Sequence, residues 1–408
     1  MRVLMLMLLL PFSVFAQGLD IYGYFEPQYM GAKLGDHFYH VASNKLRVDL
    51  AKTLGDNVTF GANFNYITFH GKTEWNILDY LPSHIAGTIP PQLENMFVFH
   101  FGDMVQQAGP ITQPRPDRIF LDNAFLRLSY KKMDITVGKQ QLGMGAGYTW
   151  NPTDLFNVKN VLDPTYEQPG HNAVRLEYQV HKKLGIDAMW SPGEEFEDSH
   201  LMIRLKSNIS HFDFTLLAAQ QNWQRSDFLN MLQPYSSYRR SMFGGDFSGE
   251  LFGLGIWGEG GYNIIKLKTG PGVAGVKDFW ELVIGSDYTF NSGLYAMAEF
   301  YHASQAPDRW QDYSLNDWLW YYSTETRSLG RDNLFAMLLY PATDLLNIGI
   351  MLIENLGDGS ATIAPNLTWS LFEDVELMLY LNYATGREGR AFASNLGSGG
   401  LARLRIYF

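Results

Sequence analysis

Charged residues recur at every second position in several stretches of this sequence, and that spacing sets what they can do. In "SNKLRVDLAK", Lys45, Arg47 and Asp49 alternate with Leu46, Val48 and Leu50. In "NAVRLEYQVH", Arg175, Glu177, Gln179 and His181 alternate with Val174, Leu176, Tyr178 and Val180. A period of two sends successive side chains to opposite faces of a strand, so each stretch has one wet face and one apolar face. Extended along the chain, the alternation collects two sets of charge on the wet face. Lys45, Arg47, Arg127, Arg175, Arg204, Lys206, Arg403 and Arg405 form a basic set, accompanied by fewer acids (Asp49, Glu177 and Asp187). Asp213, Asp246, Glu250, Glu259, Glu281, Asp287 and Glu299 form an acidic set, with no basic residue assigned among them. Two opposed walls of this kind would set a transverse field across the water between them, favouring polar solutes over apolar ones. The alternative is that the charges only solvate their face and pair locally, as Arg175 and Glu177 can, screened over about 8 Å at physiological salt.

Catalytic spacings are missing from the chain. There is no His-Glu-x-x-His, no Gly-x-Ser-x-Gly and no Gly-x-x-x-x-Gly-Lys-Ser/Thr. "GMGAG" at 143–147 lacks the strand–helix context of a nucleotide site, and the 10 histidines have no metal-ligand spacing. The sequence therefore predicts neither an enzyme nor a cofactor or metal site. With 42 acidic against 31 basic residues the formal net charge is -11, and no basic patch is clustered, which argues against a nucleic-acid partner.

The charged faces need strands to carry them, and the strand-like segments run from end to end. Short turns fall at 54–57, 131–134, 182–185, 208–211, 251–254, 291–293, 342–345 and 372–375. Between them lie longer segments, notably 70–117, 143–171 and 305–332. Alternation of short and long connections is the plan of an all-β, transmembrane, antiparallel up-and-down barrel. Paired across the short turns, with "LDIYGYFEPQYM" first and "LARLRIYF" last, the segments predict about 18 strands, 16 being the alternative, with both termini on the periplasmic short-turn side. An aromatic content of 15% suits the girdles of such a barrel, and the absence of cysteine excludes a disulfide scaffold. Residues 1–16 are expected to be a signal peptide, with charged Arg2, an apolar run to Phe12 and small Val14 and Ala16 before the cut; residues 17–408 are expected to form one barrel domain. No other run is apolar over the roughly 18 residues that a spanning helix needs. A barrel of this size leaves an aqueous channel unless something fills it. The segment 70–117, with Glu74, Asp79, Glu94, Asp103, Arg115 and Asp117, is the candidate to narrow it, either folded inward or as an external lid. Nothing else reads as a plug. The loop bearing Trp310, Trp318, Trp320, Tyr321 and Tyr322 suits a sugar-binding surface or, more commonly, aromatics resting at the headgroup level.

Three features resemble known outer-membrane proteins. Leu404, Ile406 and the terminal Phe408 occupy alternate positions of the last strand, which resembles the C-terminal assembly signal of Gram-negative outer-membrane barrels. That resemblance implies an outer-membrane location and the barrel-assembly machinery as a partner. The opposed charge sets resemble the eyelet of general porins. In "DITVGKQQLGMGAGYTWNPTDLFN", Gly138, Lys139, Gln140, Gly143, Gly145, Trp150, Asn151, Pro152, Thr153 and Asp154 resemble a pattern of porin-like and polysaccharide-export barrels, with Lys139 in the place of an arginine. Thr153 and Asp154 suit a helix N-cap equally well. If Val137 faces lipid, alternation puts Lys139 there too unless Gly138 marks a bulge. The resemblances imply a porin-like channel for passive diffusion of small polar solutes or saccharides. A dedicated polysaccharide exporter with 70–117 as its lid, and a non-conducting structural or adhesive barrel, are the alternatives; the two-signed charge inventory favours the channel. Outer-membrane lipid would be a partner, and any lipid-facing apolar strip would equally serve a homotrimer interface.

Overall fold

The structure, a computed structural model, describes residues 18–91, 97–100, 118–159, 167–228, 230, 233–395 and 397–408. The expected signal peptide and Glu94, Asp103, Arg115 and Asp117 lie outside the described residues. In chain order the strands are β1 (Asp20–Leu34), β2 (His37–Leu54), β3 (Val58–Gly71), β4 (Glu74–Asn76), β5 (Val98–His100), β6 (Arg118–Tyr130), β7 (Met133–Gln141), β8 (Gly170–His181), β9 (Leu184–Ser191) and β10 (His200–Ile209). They continue with β11 (Phe212–Ser226), β12 (Tyr235–Leu251), β13 (Leu254–Thr269), β14 (Phe279–Thr289), β15 (Tyr295–Ala303), β16 (Asp332–Pro341), β17 (Leu346–Asn355), β18 (Ser360–Phe372), β19 (Val375–Ala384) and β20 (Ser398–Tyr407). All but β4 and β5, which pair with each other, belong to one 18-stranded antiparallel sheet. Each strand pairs with its barrel neighbours, and β1 pairs with β20, so the sheet closes on itself and has no free edge.

The short turns stand where the sequence puts them, and several require a left-handed residue. Gly55, Lys131, Ser210, Phe252 and Asp374 all have positive φ in these connections, as tight hairpin turns demand of their central residues. Along the strands the two faces differ as the alternation requires. On β10, Leu201, Ile203 and Leu205 are exposed to the outside, whereas Met202 and Arg204 are buried inside. A continuous outer surface of Leu, Ile, Val and aromatic side chains is stable against hydrocarbon and not against water. Among the described residues no helix is long and apolar enough to cross a membrane. The fold is a closed antiparallel barrel of transmembrane type.

The end opposite the short turns carries an apolar cap. Helix α1 (Ser83–Ala86) and helix α2 (Leu315–Tyr322) contribute to it. Ile77, Leu81 and Ile85 pack with Trp318, Leu319 and Leu329 in one buried cluster. This corrects the expectation for the aromatic loop. Trp318 and Leu319 are fully buried in the cap, and the Trp320 indole N–H donates to the Ser226 carbonyl at 2.7 Å, so these rings neither rest at a headgroup level nor form an open sugar surface. The local cause is a capping box: Ser314 and Asp317 satisfy each other's backbone N–H groups and start a helix that turns the apolar run inward.

The seam is closed by the last residue. The Gly23 N–H donates to the Phe408 carbonyl at 3.0 Å, and the Phe408 N–H donates back to the Gly23 carbonyl at 3.1 Å. Arg403 and Arg405 face inward, while Ile406 and Phe408 are exposed on the outer side. A Cβ added at Gly23 would lie 2.1 Å from the Arg47 carbonyl oxygen, so this position accepts only glycine without moving β2. Deleting Phe408 removes two seam hydrogen bonds worth about 1 kcal/mol each. The deletion and Gly23→Val should both lower the temperature at which the folded, fast-migrating species is lost in heat-modifiability gels; an unshifted transition would show that this seam does not limit stability.

Candidate functional site in the barrel lumen

Pairing registers place the acidic set on one part of the inner wall. Asp246 lies opposite Glu259, Glu259 opposite Val283 and Val283 opposite Tyr301, in one row across β12 to β15. Glu281, Asp287 and Glu299 share that inward parity. The basic set lies on β20, β2, β6, β8 and β10.

Between β7 and β8 the chain leaves the wall, and the described parts of this segment (142–159 and 167–169) fold into the lumen. Two glutamates of the acidic set hold its first half. Glu299 accepts hydrogen bonds from the backbone N–H groups of Tyr148 (2.7 Å), Thr149 (2.8 Å) and Trp150 (3.0 Å), and from the Trp257 indole (2.7 Å). Glu259 accepts from the N–H of Gly147 (2.9 Å), the side-chain amide of Asn151 (3.2 Å), and both the N–H and the hydroxyl of Thr153 (2.7 Å each). The Trp150 ring stacks on Tyr301 at 5.1 Å and 12°. Leu142 and Met144 pack against Met189, Met202, Leu217 and Met242 on the inner wall. Gly145 is required by contact as well as by its φ of +81°, since a Cβ there would stand 2.1 Å from Glu259 Oε2.

The far end of the segment is held by the opposite charge. Glu167 accepts from Lys45 Nζ at 2.7 Å, from Arg47 Nη1 at 3.0 Å and from the Tyr24 hydroxyl, with Arg405 at 3.6 Å. Burial alone would raise the Glu167 pKa, but Lys45, Tyr24 and Arg47 together outweigh it and hold the carboxyl below the usual range. Within the segment, burial lowers the Lys159 ammonium; it donates to the carbonyls of Gly147 and Tyr148 at 3.0 and 3.1 Å. Burial raises the Asp154 carboxyl, which accepts from the N–H groups of Phe156 (2.9 Å) and Asn157 (3.0 Å). Asp154 thus caps a local turn, and no helix follows it among the described residues. Pro152 lies between the two residues that reach Glu259, Asn151 and Thr153.

Of the two placements open to 70–117, folded inward or external lid, its described part takes the outer one, and the expectation that nothing else acts as a plug is corrected. The described part of 70–117 packs into the outer cap, with Asp79 bonded to His37 and Tyr39 at the end of β2. The described parts of 142–169 enter the barrel, because their amides and Glu167 match fixed charges on both walls.

Most remaining wall charges pair locally. Asp187 accepts from Arg175 (2.8 Å), from Arg204 and from Lys206 (3.2 Å), and Arg175 also reaches Glu177 at 2.7 Å. Arg47 is held by Asp49 at 2.8 Å, Arg403 by Glu376 at 3.2 Å, and Arg405 by Glu26 at 2.5 Å. Arg127 bonds the Thr136 hydroxyl at 3.3 Å and makes no ion pair among the described residues. On the acidic side, Asp287 accepts from Tyr295 at 2.8 Å, Asp213 from Asn208 at 2.9 Å, and Glu250 is exposed near the short-turn end. Glu281 is approached by Arg327 at 3.3 Å and Arg240 at 3.8 Å, and accepts from Tyr301. Two buried basic residues therefore stand on the acidic side, Arg225 on β11 and Arg240 on β12, which the sequence inventory missed. Parity alone could have found them, since Arg225 is in step with Asp213 and Arg240 with Asp246.

At Lys139 the alternation holds. The ammonium donates to the Leu121 carbonyl at 2.6 Å beside an irregularity in β6, where Asn63 Oδ1 accepts from the N–H groups of Asp122 (3.1 Å) and Asn123 (2.8 Å). The bulge thus lies in the neighbouring strand rather than at Gly138.

Comparison with known structures agrees with this architecture. OccAB4 of Acinetobacter baumannii aligns with a TM-score of 0.54 at 11% identity, covering 96% of this chain and 98% of that one. The fold is that of a porin-type barrel. A double mutant of the Rh. blastica porin aligns at 0.47 and 12% identity, over 96% of this chain and 100% of that one. A loop L8 deletion mutant of OmpT, an outer membrane protein of Vibrio cholerae, aligns at 0.46 and 10% identity, over 96% and 99%. No known family profile matches the chain, and no curated protein matches its sequence.

Two outcomes test the seating of the inward segment. Hydrogen bonds to a charged acceptor contribute about 1.5–3 kcal/mol each, so Glu299→Ala should release Tyr148–Trp150 and expose them to chymotrypsin in the folded barrel. Gly145→Ala should do the same by displacing Glu259; resistance equal to the parent in both would contradict the seating. The Glu167 carboxyl is lowered in the folded state, so its stabilisation is complete above the ordinary carboxylate range and is lost as pH falls through the lowered value. Glu167→Gln should therefore melt below the parent at neutral pH, and the two melting temperatures should converge as the solution is acidified.

Proposed function

We propose that this protein is an outer-membrane channel for passive diffusion of small polar solutes, narrowed by the segment 142–169. In this reading the short-turn end and both strand termini face the periplasm, the capped end faces outward, and Phe408 completes a strand that the assembly machinery recognises. The observation that carries the proposal is one segment anchored at its two ends to opposite charges inside an 18-stranded barrel. A barrel of that size has room for water beside a single inserted segment. Glu259 and Glu299 act as anchors rather than as free charges, because their lone pairs are already engaged. The charges left to meet a solute are those with weaker or partial pairing, Arg127 and Lys206 on the basic side and Asp213, Asp246 and Asp287 on the acidic side. Charges of both signs suit dipolar solutes better than a polymer of one sign, which is why the exporter is the weaker reading.

Conductance of single barrels in a planar bilayer tests this. Steady open current is expected, rising when Glu259 and Glu299 are both changed to glutamine and the segment is released. Replacing Arg127 and Lys206 together by Glu should shift reversal potentials in a salt gradient toward cations. Correctly folded, inserted barrels that pass no current would contradict a diffusion channel.

A further inference from the structure

The outer face of the barrel carries two neighbouring cations that the protein itself does not answer. On β12 Arg240 and Met242 are buried inside, so Arg239, Ser241 and Phe243 point outward. On β13 Asn263 is buried inside, which puts Tyr262, Ile264 and Lys266 on the outer face. The register sets these residues in rungs: Phe243 lies opposite Tyr262, Ser241 opposite Ile264, and Arg239 opposite Lys266. Like charges directly opposite on neighbouring strands repel. Such a pair calls for a counter-charge from elsewhere.

Carboxylates of the chain do not supply it. Among the described residues neither Arg239 nor Lys266 makes an ion pair or a side-chain hydrogen bond. Lys268, two residues along β13, is by contrast bonded to Asp198 of the acidic connection between β9 and β10. Asp278, just before β14, accepts from the Ile265 N–H at 2.8 Å and pairs with neither cation. On the β11 side Asn222 lies opposite Arg239 and accepts from the Ser237 hydroxyl at 2.5 Å. The rung Asn222, Arg239 and Lys266 is therefore net positive by two.

Height along the barrel identifies what meets this rung. Phe243, Tyr262 and Trp280 form an exposed aromatic row across β12, β13 and β14. A second set, Phe252, Tyr288 and Phe290, is exposed at the short-turn end. Nine residues of β12 separate Phe243 from Phe252, about 23 Å of height at the usual rise and tilt of barrel strands. That spacing matches the apolar band of about 25 Å between two aromatic girdles. Between them the outward residues of β12 are Gly245, Phe247, Gly249 and Leu251, none of them charged. Arg239 and Lys266 stand two rungs past the upper row, about 10 Å higher, where long side chains meet lipid headgroups.

We propose that Arg239 and Lys266 bind the phosphate of a lipid headgroup in the leaflet at the capped end. The Arg239 guanidinium donates to two phosphate oxygens and the Lys266 ammonium to a third, while the acyl chains pass over Phe243 and Tyr262. The phosphate cancels the repulsion within the rung. The site lies outside the barrel, so it depends on the barrel sitting in a bilayer and not on whether it conducts.

The test follows the unfolding temperature of the full-length barrel in dodecyl maltoside as phosphatidic acid, phosphatidylcholine or inorganic phosphate is added. Saturable stabilisation by phosphatidic acid is expected, with none from inorganic phosphate or from phosphatidylcholine, whose choline cancels the charge. Arg239→Gln and Lys266→Gln should each raise the phosphatidic acid concentration for half the effect by about tenfold. Lys183→Gln, in a short turn at the other end, should not. Without lipid, Lys266→Gln should unfold at or above the parent temperature, because relief of repulsion is then the only change. A lower temperature there would mean that the pair serves the fold itself, and would overturn the proposal. So would the absence of a saturable effect of phosphatidic acid, or equal stabilisation by phosphatidylcholine or inorganic phosphate. An undiminished response in both glutamine variants, or a loss in Lys183→Gln as large as in Lys266→Gln, would overturn it equally.

Discussion

A carboxylate enclosed inside a β-barrel must find hydrogen-bond donors, and the strand backbone cannot supply them, because its N–H groups are committed to the ladder. The amides of a segment that leaves the wall have the opposite need, since they have lost the ladder and are buried again in the lumen. Glu259 and Glu299 meet both requirements at once. The bonds from Gly147, Tyr148, Thr149, Trp150 and Thr153 satisfy the carboxylates and fix the path of the segment together. Once that path is set, Trp150 reaches Tyr301, and the later part of the segment delivers Glu167 to Lys45 and Arg47. The lumen is shaped by this mutual satisfaction rather than by the barrel wall alone.

The electrostatic consequence is a narrower field than the sequence suggests. Asp187 gathers Arg175, Arg204 and Lys206, while Glu26 lies beside Arg403 and Arg405, so much of the basic wall is balanced within a few ångströms. On the acidic wall two carboxylates are consumed by the inward segment. Local pairing and a field across the lumen therefore coexist, and the field arises from the minority of charges left partly free.

The barrel was largely legible in the sequence because its signals are local. Alternation over ten residues and a turn of two to four residues need no knowledge of distant partners, and closure follows from the first and last strands. The lumen was less legible because its bonds are remote: Thr153 and Glu259 are 106 residues apart, and Thr149 and Glu299 are 150 apart. The Gly-rich, Trp and Asn-Pro-Thr-Asp stretch stood out as a pattern, yet nothing in its composition says that its amides face glutamates. Arg225 is faint in the sequence because the outward neighbours Asn222 and Gln224 are polar, so the apolar half of the alternation fades toward the end of β11. The aromatic loop turns inward because the S-x-x-D cap ahead of Trp318 starts a helix, a signal as local as the hairpin turns.

Amide hydrogen exchange of Tyr148, Thr149 and Trp150 in the folded, detergent-solubilised barrel tests the central claim most directly. These residues have no strand partner, so protection at their N–H groups can come only from the docked position. Exchange as slow as that of the neighbouring strands, and fast in Glu299→Ala, is the predicted result. Exchange in the parent at the rate of an exposed loop would contradict the account, and the two glutamates would then be free charges of the wall.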